Sequence, residues 1–121
     1  MVKYDSYKRR QIEKMATPKE IFAKIERKIS AKPDESSQIN AVYKFVLNGP
    51  NGGTWIVDLR KGTLGVREND SEAHCTITVS DENFVKIATK QMRADVAFMT
   101  GKLKLSGDMG VAMKLGKLFE E

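Results

Sequence analysis

An α+β fold, with a mostly antiparallel sheet of five strands buried under helices, is predicted by three observations. Apolar residues recur at helical spacing after residue 20, at every second position within 41–47, 55–59 and 75–79, and at helical spacing again near the end. The strand segments follow one another directly instead of alternating with helices, as a parallel nucleotide-binding sheet requires. With 121 residues, 40% hydrophobic and 31% charged, the chain has the size and composition of one globular core.

Residues 1–16 form a flexible or loosely helical basic lead-in, and residues 17–121 form the domain. In the lead-in Lys3, Lys8, Arg9, Arg10 and Lys14 face only Asp5 and Glu13. A solvated, frayed arm is one reading; attraction to an anionic lipid surface or a partner is the other. A helix starts at Thr17, with Pro18 at its first position and Glu20 completing a capping box. Ile21, Phe22, Ile25 and Ile29 give its apolar face, and Pro33 to Ser37 end it in a loop. Ala41, Tyr43, Phe45 and Leu47 then alternate with Val42, Lys44 and Val46. Asn48 to Gly53 is a turn, and Trp55, Val57 and Leu59 make a second strand. Arg60-Lys61-Gly62 turns the chain into a third, over Thr63 to Arg67, and Cys75, Ile77 and Val79 mark a fourth. Short connections make these four an antiparallel meander. Ser80, Asp81 and Glu82 start a second helix with Phe84, Val85, Ile87 and Ala88 on its inner side. A short helical piece covers Ala94 to Met99, a fifth strand lies at Lys102 to Leu105, and a last helix runs from Met109 to Phe119.

Several functions lack the residues they need. His74 is the single histidine, and its neighbour Cys75 points to the opposite side of the strand, so the two form no thiolate–imidazole pair. His74 reads as a surface residue and Cys75 as a small buried hydrophobe. One histidine and one cysteine supply no metal-ligand spacing, and no intrachain disulfide is possible, which fits a reducing compartment. The glycines of Asn48 to Gly53 precede a strand rather than the Lys-Ser/Thr and helix of a phosphate loop. No cofactor is implied and the protein reads as a non-enzyme. The net charge of +5 permits nonspecific contact with nucleic acid. No aromatic residues interleave with basic ones as a stacking platform, so specific nucleic-acid recognition is not expected. No apolar run approaches the roughly 20 residues of a membrane span, and the N-terminus lacks the apolar stretch of a secretory signal.

The C-terminal end carries more apolar side chains than one helix face uses. Val111, Leu115 and Leu118 lie on one side of the last helix, while Met109, Ala112 and Met113 lie mostly on another. Four of the six methionines fall between Met92 and Met113. Methionine fills irregular space and recurs at adaptable apolar surfaces. An ordinary core with methionine fillers, an interface with a second chain or enzyme, and a bound apolar ligand all fit this excess.

Several stretches resemble the sterol carrier protein 2 domain family. They are Ile21-Phe22-Ala23-Lys24-Ile25, Asn40-Ala41-Val42-Tyr43-Lys44-Phe45, Gly53-Thr54-Trp55-Ile56-Val57-Asp58-Leu59-Arg60-Lys61-Gly62 and Thr78-Val79-Ser80-Asp81-Glu82-Asn83-Phe84. The most specific runs from Ala97-Phe98-Met99-Thr100-Gly101-Lys102-Leu103-Lys104-Leu105 through Ser106-Gly107-Asp108-Met109 to Ala112-Met113-Lys114-Leu115. The likeness spans about residues 20–119, in order, and its wording is similar to the hydroxysteroid dehydrogenase-like group. It implies an apolar tunnel between sheet and helices. It also implies binding and transfer of fatty acids, fatty acyl-CoA, sterols or phospholipids by a monomeric carrier. Similar domains occur alone or at the C-terminus of peroxisomal enzymes. The implied location is therefore intracellular, cytoplasmic or peroxisomal, although Leu118-Phe119-Glu120-Glu121 lacks a peroxisomal C-terminal address.

Carried over residue by residue, the resemblance makes Phe22, Ile25, Trp55, Phe84, Ile87, Met92, Phe98, Met99, Leu103, Met109, Met113 and Leu118 the candidate ligand-lining residues. Core packing is the alternative for each, and the stronger one for Trp55 and Phe84. Some relatives place glutamine where Met113 stands and a basic residue in the loop after the first helix. Here Lys32 and Gln38 are the candidates for holding a head group. Lys102, Lys104, Lys114 and Lys117 would favour an acyl-CoA phosphate or an anionic membrane if they surround the entrance.

Overall fold

The computed structural model describes residues 17–116, and the basic lead-in and Leu118 lie outside them. The described residues form helix α1 (Pro18–Ala31), helix α2 (Pro33–Ser37), strands β1 (Val42–Asn48), β2 (Gly53–Asp58), β3 (Gly65–Glu68) and β4 (Cys75–Ser80), helices α3 (Asp81–Ala88) and α4 (Ala94–Met99), strand β5 (Leu103–Gly107) and helix α5 (Met109–Met113). The α+β architecture is the one the periodicity predicts.

Helix α1 begins as its sequence dictates: the Thr17 hydroxyl accepts from the Glu20 backbone N–H at 3.2 Å, behind a proline at the first position. Its buried face is Ile21, Phe22, Ile25 and Ile29. Pro33 to Ser37, expected as loop, is instead a single helical turn. The proline that stops α1 is itself suited to the first position of a new helix, and Asp34 and Glu35 follow it at the positive end of the dipole.

The sheet order is β3-β2-β1-β4-β5. The expected meander holds through β1, β2 and β3, which pair antiparallel. It fails at β4, which pairs parallel with β1, Tyr43 opposite Cys75 and Leu47 opposite Val79. Hairpin logic does not apply there, because the chain leaves β3 at the sheet edge and returns to the open side of β1. Asp70, on this connection, meets Lys44 Nζ at 2.8 Å. β5 then pairs antiparallel with β4. Strand β3 starts at Gly65 rather than Thr63, and β5 at Leu103 rather than Lys102.

Alternation sorts the strands into two faces. Tyr43, Phe45, Leu47, Trp55, Val57, Cys75, Ile77, Val79 and Leu103 face the helices and join one core with Ile21, Phe22, Ile25, Ile29, Phe84, Ile87, Ala97, Ala112 and Leu115. The aromatic centre is tight. Phe22 stacks on Trp55 and Phe84 at 4.5 and 4.9 Å, and Phe45 meets Phe22 and Phe84 edge-on. Pairs of this geometry contribute roughly 0.5–1.5 kcal/mol each beyond burial. Helix α1 packs over β3 and against α3, whereas α4 and α5 pack over the β5 side of the sheet.

The β1–β2 turn is fastened to α3. Asp81 accepts from the Asn51 and Glu82 backbone N–H groups, each at 2.8 Å. Gly49, at φ +113°, leaves the space that this carboxylate fills, and a Cβ there would run into it.

Candidate functional site

The candidate site is built from α4, β5 and α5, which the chain lays side by side at one edge of the sheet. Helix α4 is six residues long and buries only Ala97. Asp95 starts it, pairing with Arg93 and accepting from the Val96 N–H. Gly101, at φ +78°, turns the chain away, and the Lys102 N–H donates to the Ala97 carbonyl at 2.8 Å. β5 then adds Leu103, buried, and Leu105, half-buried, to the apolar face.

Gly107 closes β5 at φ +97°, so tightly against the His74 carbonyl that a Cβ would strike it. The Asp108 N–H donates to that same carbonyl at 2.8 Å. The Asp108 side chain caps α5 by accepting from Gly110 and Val111 N–H. Helix α5 buries Ala112, and Leu115 follows it into the core. From β1, the hydroxyl of Tyr43 donates to the Val111 carbonyl at 2.6 Å. Burial, and then the neighbouring Cys75, push the Tyr43 hydroxyl up to about 12. Burial, and then Asp108, also raise the Cys75 thiol above its ordinary value. Both groups therefore keep their protons at neutral pH.

These two helices show their apolar residues to solvent. Val96 is 45% exposed, Phe98 49%, Met99 81%, Met109 48% and Met113 88%. The expected second face of the last helix is present at Met109 and Met113, but Ala112, expected with them, turns inward. The candidate lining residues consequently fall into two groups. Phe22, Ile25, Phe84, Ile87 and Leu103 are buried in the core. Trp55 and Met92 are half-buried against it. Phe98, Met99, Met109 and Met113 are exposed on α4 and α5.

Of the lysines expected to favour an anionic ligand, Lys102 is exposed in the turn before β5. Lys104 pairs across from Thr78 and alternates with Leu103 and Leu105, which places it on the face opposite α4 and α5. Lys114 is exposed just after α5, and Lys117 lies outside the described residues. Lys32 and Gln38 are exposed at either end of α2, where Lys32 comes within 4.0 Å of Glu35.

Three residues with defined roles had no sequence signal of their own: Tyr43, His74 and Asp58. His74 is exposed as expected, yet its Nδ1 accepts from the Val42 N–H at 2.9 Å. Asp58 is fully buried on the face away from the helices. Among the described residues no group of three His, Cys, Asp or Glu side chains could hold a metal ion, and no helix is long and apolar enough to cross a membrane.

Residues 22–120 match the model of the SCP-2 sterol transfer family. The chain is 39% identical over 101 residues to hydroxysteroid dehydrogenase-like protein 2 of Xenopus laevis, covering 82% of this chain and 24% of that protein. It is 40% identical over 103 residues to sterol carrier protein 2 of Homo sapiens, covering 81% of this chain and 19% of that protein. It thus spans a quarter or less of the length of these relatives. Among solved structures, palmitated SCP2L2 of Aedes aegypti superposes with a TM-score of 0.70 at 26% identity, covering 87% of this chain and 96% of that one.

Proposed function

Since the chain belongs to the SCP-2 sterol transfer family, we propose that it is a non-catalytic carrier that shelters the apolar chain of a fatty acid or a related acyl lipid, sterol or phospholipid. The single observation that carries this reading is the solvent exposure of Phe98, Met99, Met109 and Met113 on two short helices over an otherwise buried apolar layer. Large apolar side chains on a small domain mark a surface that takes a partner, and methionine suits guests of varying shape. The palmitated relative of the same fold supports a fatty acyl guest.

In this reading the guest lies in a tunnel between the sheet and helices α4 and α5, with Leu103 and Met92 beneath it. Phe98, Met99, Met109 and Met113 close over the guest. Phe22, Ile25, Trp55, Phe84 and Ile87 form the wall that holds the shape. An acyl chain gains about 0.8 kcal/mol per CH₂ removed from water. Ten methylenes then suffice for roughly micromolar affinity after ordering costs. The protein adds no chemistry and works as a monomer.

The test is titration with a fluorescent fatty acyl analogue, before and after replacing Met109 and Met113 together by glutamate. Loss of two apolar contacts weakens binding by more than about tenfold. Unchanged affinity, or wild-type protein that binds no acyl analogue, overturns the proposal. A partner-docking module would instead leave the analogue unbound and change size with concentration.

A further inference from the structure

One polar atom stands inside the apolar layer. Among the described residues buried in that core, Tyr43 on β1 is the one whose side chain carries an oxygen or nitrogen; the indole of Trp55 is only half-buried against it. Its hydroxyl reaches the Val111 carbonyl, on the helix whose Met109 and Met113 are exposed.

The two partners depend on that bond unequally. The Val111 carbonyl also accepts from the Lys114 N–H at 3.1 Å, so it remains paired when the tyrosine leaves. Among the described residues the Tyr43 hydroxyl makes no other hydrogen bond. A buried donor left without an acceptor is costly, whereas exchanging one acceptor for another is not. Helix α5 is only five residues long, and its own hydrogen bonds are too few to hold it in place without docking. A guest entering beneath it meets the Tyr43 hydroxyl as a donor.

We propose that Tyr43 anchors the polar end of the guest: as α5 shifts, the hydroxyl passes from the Val111 carbonyl to an oxygen of a fatty acid carboxylate. The assignment rests on the carrier reading and names the chemical class that the site prefers. A carboxylate accepts only, and a tyrosine that keeps its proton at every working pH is a matched donor. Hydrogen bonds to a charged acceptor are about twice as strong as neutral ones. The exchange therefore offsets part of the cost of taking a carboxylate out of water, an offset that a methyl end neither needs nor receives.

The experiment compares two fluorescent probes with the same pyrene-labelled chain, one ending in a carboxylate and one in a methyl group, on wild type and Tyr43→Phe. The substitution removes one oxygen and keeps the ring. With affinities corrected for partition into water, wild type is expected to prefer the acid by about tenfold. Tyr43→Phe keeps its affinity for the hydrocarbon and loses that preference. The carboxyl carbon signal of bound [1-¹³C]palmitate is expected to shift between the two proteins. Equal weakening of both probes, or a preference that survives the substitution, overturns the anchor while leaving the carrier reading intact. Failure of wild type to bind either probe overturns both.

Discussion

Asp58 keeps a full charge inside the protein, and its surroundings explain how. Burial pushes its carboxyl pKa up. Hydrogen bonds from the Arg60 side chain, the Arg60 backbone N–H, Arg67 and Thr63 outweigh that and hold it well below the usual carboxylate range. Arg60 Nε and Nη2 donate at 3.0 and 2.9 Å, the Arg60 backbone at 3.0 Å, and Arg67 Nη2 at 3.1 Å. Both guanidinium groups remain about half exposed, so they balance the charge without losing their own hydration. A carboxylate lowered in the folded state adds stability that is complete above the unfolded pKa and is lost as pH falls toward the folded one. Wild type is therefore expected to lose stability below about pH 4. Asp58→Asn is expected to lower stability at pH 7 by about 1–3 kcal/mol, since the neutral amide gives up the charge-assisted bonds to both arginines, and to flatten the acid dependence. Denaturant titrations from pH 7 to pH 2 measure both. The sequence showed Asp58 only as an alternating strand residue. Its tie to Arg67 depends on the β2–β3 register, which places Asp58 opposite Gly65, and local patterning does not contain a register.

Helix α5 is stable only through what touches its ends. Asp108 satisfies two N–H groups at its start, Tyr43 holds its middle, and Ala112 and Leu115 give it a small buried face. Asp108→Ala is expected to cost about 1 kcal/mol. It should also speed amide exchange at Val111 and Ala112, with the strand amides of β1 and β4 unchanged. Uniform acceleration would mean instead that α5 unfolds only with the whole domain. Elements were legible wherever a period and a stop signal agreed, as at Thr17–Pro18 and Ser80–Asp81. They were not legible where one residue sends two signals, and Pro33 both ended α1 and began α2. The pairing of β4 with β1 was hidden for a different reason. Six residues joining two strands, five of them polar, look the same whether the chain turns back at once or crosses the sheet.

In the proposed carrier two sets of apolar residues divide the work, and stability measurements should separate them. Phe22 touches Phe45, Trp55 and Phe84 at once, so Phe22→Ala is expected to cost about 3–5 kcal/mol. Met113 is 88% exposed, and Met113→Ser is expected to move stability by less than about 0.5 kcal/mol while weakening acyl binding. Thermal unfolding of the two variants, beside binding titrations, measures the division. The family resemblance supplied the candidate list as a whole but not the split within it. Phe22 and Phe98 are both aromatic residues on short amphipathic segments. Only the packing shows that one lies under the sheet's centre and the other over its edge.

The parallel seam between β1 and β4 also governs how the chain comes off the ribosome. Val42 waits for His74, 32 positions later, before the central strand has a neighbour on its second side. At roughly 5–20 residues per second, that is on the order of 2–6 s during which a nascent β1 presents an open, aggregation-prone edge. The half-sheet made first has Lys44 along that strand, a charged side chain of the kind that discourages a stray strand from docking there before the proper one arrives.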